Sequence, residues 1–183
     1  MVLPHRSLCQ TRNRLVSATA LANTQYHALC HSGADEAGDA MRPVMHTDSE
    51  RLMQEGIATG VEAFAMFQAE TGWSSGDLHK TVCHQVGATH RRLSLESFGL
   101  SPERDFATLE WLGNTGACAL PVTLALAAEE GFLAEEDQVG LLGIGSGINC
   151  LLLALKWQNT PVLGGTLSEA PAAGKRGMQP AMG

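Results

Sequence analysis

Thr81-Val82-Cys83-His84-Gln85-Val86, taken with Leu112-Gly113-Asn114-Thr115-Gly116, decides how this chain is read. In each stretch a short apolar run ends in a polar side chain just before a helical pattern. Parallel sheets present chemistry in this way: strand ends feed loops, and the loops carry the reactive groups. His84 and Asn114 are about one strand-helix-strand unit apart, so their side chains can lie at neighbouring strand ends. A third piece, Gly143-Ile144-Gly145-Ser146-Gly147, lets the backbone approach a ligand closely, because glycine adds no side chain.

Working outward, the periodicity predicts an α/β fold, a mixed five-stranded sheet with helices on both faces in the order βαβαβαββ. Strands are expected near residues 14–22, 79–84, 105–109, 138–145 and 149–157, and helices near 48–71, 87–98 and 117–130. In the first helix Thr47 and Glu50 have capping-box spacing, and Met53, Ile57, Val61 and Phe64 mark an apolar face. Gly99 is the expected stop of the second helix. Pro121 suggests that the third becomes regular near that residue. The segment from Asn23 to Pro43 is small, polar and glycine-bearing and reads as a long loop.

Composition narrows the function classes. The chain has 183 residues, 44% apolar and 17% charged, which suits one globular domain with a real core. Its formal charge of −7 argues against nucleic acid as the main partner. The five cysteines, Cys9, Cys30, Cys83, Cys118 and Cys150, show no paired C-x-x-C spacing, so neither a zinc site nor a disulfide framework is expected. A cytoplasmic setting is the expectation. No apolar run reaches membrane-spanning length.

The His84-Gln85 pair after a strand, Gly113-Asn114-Thr115 before a helix and Gly145-Ser146-Gly147 before a final strand ending in Trp157 occur in an order that resembles one family. It is the C-terminal half of β-ketoacyl-acyl carrier protein synthase III, a thiolase-fold condensing enzyme. The resemblance runs from about Arg14 to Trp157. Within the family, Leu142 to Cys150 and His84-Gln85-Val86 followed by His90 look like the branch that condenses two long acyl chains head to head in bacterial olefin synthesis. The carrier-binding arginine of the fatty-acid enzymes is replaced by Thr89, and Arg91 and Arg92 lie near enough to substitute.

The resemblance implies Claisen chemistry on acyl thioesters, from acyl-coenzyme A or acyl carrier protein, without a further cofactor or metal. It implies that His84 and Asn114 donate hydrogen bonds to the thioester oxyanion and that the backbone N–H of Ser146 serves the acyl-enzyme step. The family's nucleophilic cysteine belongs to an N-terminal half, and only 83 residues precede His84 here. On this reading residues 1–13 are a remnant of that half, 14–157 the C-terminal domain and 158–183 a disordered tail. The intact enzyme is expected to be a homodimer. The chain alone is expected to be inactive, whether it reflects a truncated gene, a misplaced start or a split enzyme.

Bland readings stand beside these. A lone strand-end histidine is more often packed than catalytic, and the glycine turn could be a hairpin and no more. It is not a dinucleotide fingerprint, because a strand follows it. His90 reads as a helix-face residue. Cys118 lies near a helix N-terminus, where a thiolate is stabilised, but small buried cysteines are commoner. Cys83 and Cys150 read as core. A function of another class, a non-catalytic remnant or interaction module that keeps the fold, is the alternative.

Overall fold

The computed structural model describes residues 11–34 and 43–159. In chain order they form β1 (Arg14–Ala22), β2 (Cys30–Ala34), β3 (Pro43–Thr47), α1 (Ser49–Thr71), β4 (Lys80–Cys83), α2 (Ala88–Phe98), β5 (Asp105–Phe106), α3 (Leu109–Leu112), α4 (Ala119–Glu129), β6 (Gln138–Gly145) and β7 (Asn149–Lys156). The principal sheet has the order β1-β7-β6-β4-β5. The β1, β7 and β6 strands pair antiparallel, whereas β6, β4 and β5 run parallel. The mixed five-stranded sheet with helices on both faces is as expected.

Burial explains the strands. Val82 and Val139 to Leu142 are buried, because β4 and β6 are central and covered on both sides. Such strands read as continuous apolar runs rather than alternations. On one face α1 and α2 pack Phe64, Phe67, Leu95 and Phe98 against Leu152 and Ala154 of β7. The rings of Phe64 and Phe98 stack with centroids 4.9 Å apart. On the other face α4 sets Leu124 and Ala127 against Val82, Val139, Leu141 and Leu155. Both α1 and α2 end on left-handed glycines, Gly72 with φ 71° and Gly99 with φ 66°, conformations that side chains disfavour.

Four expectations need correction. Residues 23–43 are not a plain loop: a 3-10 turn spans Thr24–Leu29, and β2 pairs with β3 in a separate two-stranded sheet. The α1 cap is Asp48, not Thr47; its carboxylate accepts from the Arg51 N–H at 3.1 Å. The buried stripe of α1 is Gly56, Thr59, Gly60, Ala63, Phe64 and Phe67, so Val61 faces out at 43% exposure. The small residues let α1 approach closely: a Cβ on Gly60 would lie 3.0 Å from the Phe98 ring. The strand expected over 105–109 stops at Phe106, and Thr108 already caps α3.

The expected boundaries at 1–13 and 158–183 fall largely outside the described residues. Gln158 and Asn159, assigned to the tail, donate their backbone N–H groups to Asn13 Oδ1 at 2.6 and 3.2 Å. No helix among the described residues is long and apolar enough to cross a membrane.

The topology positions the site. Because β4, β5 and β6 are parallel, their carboxyl ends share one edge of the sheet. His84 follows β4, Asn114 lies on the path leading out of β5 and α3, and Ser146 follows β6.

Candidate functional site

His84 leaves β4 with its backbone N–H bonded to the Leu142 carbonyl at 2.9 Å. Its ring is half-buried, and burial pushes the imidazole below its usual pKa. It is therefore neutral near pH 7 and can donate an N–H without carrying charge. His90 of α2 is a neighbour rather than a detached helix-face residue. Burial lowers its pKa first, and the charge of His84 lowers it further. Both histidines line a cleft with Gly56, Gly60, Phe98 and Cys150. Neither Asn114 nor Ser146 lines that cleft, so of the three candidate residues only His84 reaches it.

Asn114 is exposed on the loop between α3 and α4. Its Oδ1 accepts from the Gly116 N–H at 3.0 Å, which directs the amide and leaves Nδ2 as its donor. Gly113 and Gly116 flank it with φ of 67° and 61°, which only glycine adopts freely. Ser146 is exposed in the turn between β6 and β7, and its carbonyl accepts from Asn149 Nδ2 at 2.7 Å. Reciprocal backbone bonds between Asn23 and Ile148, at 2.7 and 2.9 Å, tie this turn to the end of β1.

The two arginines have different surroundings. Arg91 Nε donates to Asp105 Oδ2 at 2.6 Å, and Nη2 donates to the Asp105 and Pro102 carbonyls at 2.8 and 3.3 Å. Its guanidinium is thus committed inside the fold. Arg92 is exposed and pairs with Glu96 one helical turn on, with Nη1 3.0 Å from each carboxylate oxygen.

Three features were not assigned by sequence reasoning. Cys30 of β2 lies beside the glycine turn, and hydrogen bonds with the side chains of Ser146 and then Thr47 hold its thiol below the usual range. No local pattern announces this, because the hairpin brings it there. Gln85, read only as half of a pair, is buried and makes three side-chain hydrogen bonds. Its signal is a polar residue inside an otherwise apolar strand end. Asp105 was read only as part of a weak strand, and its side chain is wholly buried. Cys83 and Cys150 are core residues as expected, and burial pushes Cys150 up to about 11 and Cys83 well above its usual range, whereas the buried reading favoured for Cys118 is corrected. Cys118 is exposed. Among the described residues no cluster of three or more histidine, cysteine or carboxylate side chains could hold a metal.

Residues 68–157, which include all three site segments, match the family described as 3-oxoacyl-[acyl-carrier-protein] synthase III C terminal. Over those residues the chain is similar to this family's C-terminal domain. The chain is 41% identical over 147 residues to the acyl-CoA:acyl-CoA alkyltransferase of Shewanella oneidensis, covering 80% of this chain and 42% of that protein. A crystal structure of Xanthomonas campestris OleA with bound lauric acid and lauroyl-CoA is 31% identical, with a TM-score of 0.70 over 79% of this chain and 41% of that one. A 3-oxoacyl-(acyl carrier protein) synthase III, FabH, from Xanthomonas oryzae is 30% identical, with a TM-score of 0.73 over 82% of this chain and 42% of that one. The fold is the thiolase-like one expected from the motif order. The chain spans about two fifths of the length of these relatives.

Proposed function

We propose that this chain is the C-terminal catalytic half of a condensing acyltransferase that joins acyl thioesters by Claisen chemistry. One observation supports the reading: β4, β5 and β6 run parallel, His84 and Ser146 directly follow β4 and β6, and Asn114 follows β5 by way of α3. In such a reaction the enolate of one thioester attacks the acyl carbon of another, a C–C bond forms, the acyl C–S bond breaks and the thiolate departs. Negative charge develops on a thioester oxygen. A neutral imidazole N–H from His84 and the amide N–H of Asn114 suit it, since both donate without bringing a formal charge. The Ser146 backbone N–H serves the acyl-enzyme step. Acyl-coenzyme A or acyl carrier protein supplies the thioesters, and Arg92, the more exposed of the two arginines, meets the carrier. An N-terminal half supplies the nucleophilic cysteine, and the intact enzyme is a cytoplasmic homodimer. The sequence of the glycine turn favours head-to-head condensation of two long acyl chains.

The test is a chimera in which this chain follows the N-terminal half of the Shewanella oneidensis relative. Incubated with a long-chain acyl-coenzyme A, it should release coenzyme A and form the β-keto product seen by mass spectrometry. His84→Ala and Asn114→Ala should each slow product formation by about 10²–10³-fold while acyl-enzyme still forms. A chimera that condenses equally well with both residues removed refutes the assignment. One that binds acyl-coenzyme A without condensing it favours a non-catalytic module.

A further inference from the structure

Asn114 stands on an exposed loop, yet a donor for a developing charge must be held in place before the charge appears. We infer that Gln85 is the positioning residue that couples the His84 and Asn114 segments, an inference that rests on reading those two as the donor pair. Gln85 is 2% exposed. Its Nε2 donates to the Cys83 carbonyl at 2.6 Å, and the Val86 N–H bonds the His84 carbonyl at 3.0 Å, so the backbone on both sides of His84 is tied down. Its Oε1 accepts from the Thr108 and Leu109 N–H groups, both at 3.0 Å. Those are donors at the start of α3, which a helix leaves unsatisfied, and α3 leads directly to Asn114.

The far end of the loop is fixed through the same place. Thr108 Oγ1 shares a 2.7 Å hydrogen bond with Thr123 Oγ1, and Thr123 Oγ1 also reaches the Ala119 carbonyl at 2.7 Å. Thr108 and Thr123 are 1% and 0% exposed. One buried polar relay therefore runs from the strand end bearing His84, through both anchors of the Asn114 loop, to the first turn of α4. Buried polar groups that satisfy one another fix a unique geometry, and each loses much when its partner goes.

Two substitutions test this. Gln85→Leu keeps the bulk and removes all three hydrogen bonds. Gln85→Glu retains them while its carboxyl is neutral, since a carboxylic acid donates through O–H and accepts through C=O. On ionisation the carboxylate still accepts from the Thr108 and Leu109 N–H groups and loses only the bond to the Cys83 carbonyl. Hydrogen exchange, expressed as protection factors, should show Thr108, Leu109 and residues 113–118 losing protection about tenfold or more in Gln85→Leu at pH 5 and pH 8, with α1 unchanged. Gln85→Glu, which keeps the acceptor in either protonation state, should retain wild-type protection at Thr108 and Leu109 at both pH values. Unchanged protection in Gln85→Leu, or a loss spread evenly over α1 and the loop, overturns the inference. So does a Gln85→Glu variant whose Thr108 and Leu109 amides lose that protection, an outcome that can be read even if the leucine variant does not fold. In the chimera, Gln85→Leu should lower turnover and leave the Michaelis constant for acyl-coenzyme A near its original value. A loosened loop with unchanged turnover supports the relay and refutes instead the reading of His84 and Asn114 as donors.

Discussion

Replacing Arg91 with methionine removes a guanidinium while keeping much of its apolar stem. The consequence falls on Asp105, whose side chain is wholly buried, whereas that of Arg91 is 27% exposed. Asp105 keeps the Thr81 hydroxyl on Oδ1, at 3.0 Å, and the Cys83 thiol, both neutral donors. A buried carboxylate stripped of its cation costs about 3–5 kcal/mol, a large part of the 5–15 kcal/mol typical of a whole domain. Asp105→Asn should cost less, about 1–3 kcal/mol, because the guanidinium left behind can turn toward water. The effect depends on pH. In the wild type burial already raises the Asp105 pKa and Arg91 opposes that rise. Without Arg91 the folded value climbs further above the unfolded one. The neutral carboxyl is then favoured in the fold, so the variant's stability is best at low pH and falls as pH rises through the raised value. Urea unfolding followed by tryptophan fluorescence at pH 5 and pH 8 should show the larger loss at pH 8. Arg92→Met, which breaks an exposed pair, should cost under about 1 kcal/mol. A loss under about 1 kcal/mol for Arg91→Met at pH 8, or a larger loss at pH 5, would refute the view of Arg91 as a buried structural cation.

Other expectations concern activity and assembly. The chain alone, incubated with a long-chain acyl-coenzyme A, should show no stable adduct by intact mass; an adduct mapped to Cys30 or Cys118 would mean that it carries its own nucleophile. His84 has its pKa lowered by burial, so the neutral donor should persist below pH 6.5, and chimera activity should fall on the acid side only below that value; an acid limb centred above pH 6.5 contradicts a neutral donor. The same shift makes the His84 contribution to stability fall as pH drops from the unfolded pKa toward the lowered folded one. On the α4 side, Val16 and Leu151 are 45% and 49% exposed beside exposed Ala18 and Ala20, and Val122 of α4 is 39% exposed. Such a face marks an interaction surface or an aggregation liability. Light scattering should therefore find self-association that Leu151→Glu weakens, and a monodisperse wild-type monomer at micromolar concentration would refute this.

Most of the secondary structure was legible because its causes are local. Gly72 and Gly99 end α1 and α2 by backbone conformation, and the apolar runs of β6 and β7 follow from burial on both faces or one. The motif order from His84 through Asn114 to Ser146 was likewise written in the chain, together with the family resemblance, whereas the strand order β1-β7-β6-β4-β5 was not. Other features were invisible because their partners are distant in sequence. Pairing of β2 with β3 turned a glycine-bearing polar segment into a hairpin and set Cys30 beside Ser146. Close approach of α1 moved its buried stripe onto Gly56, Gly60 and Ala63, which hydrophobicity alone does not favour. Arg91 became the partner of Asp105 instead of a surface cation, and Gln85 became a strut to Thr108 and Leu109. Periodicity reports which face of an element meets the core. Which polar atom meets which is decided by packing, where an unpaired buried group costs too much to remain unpaired.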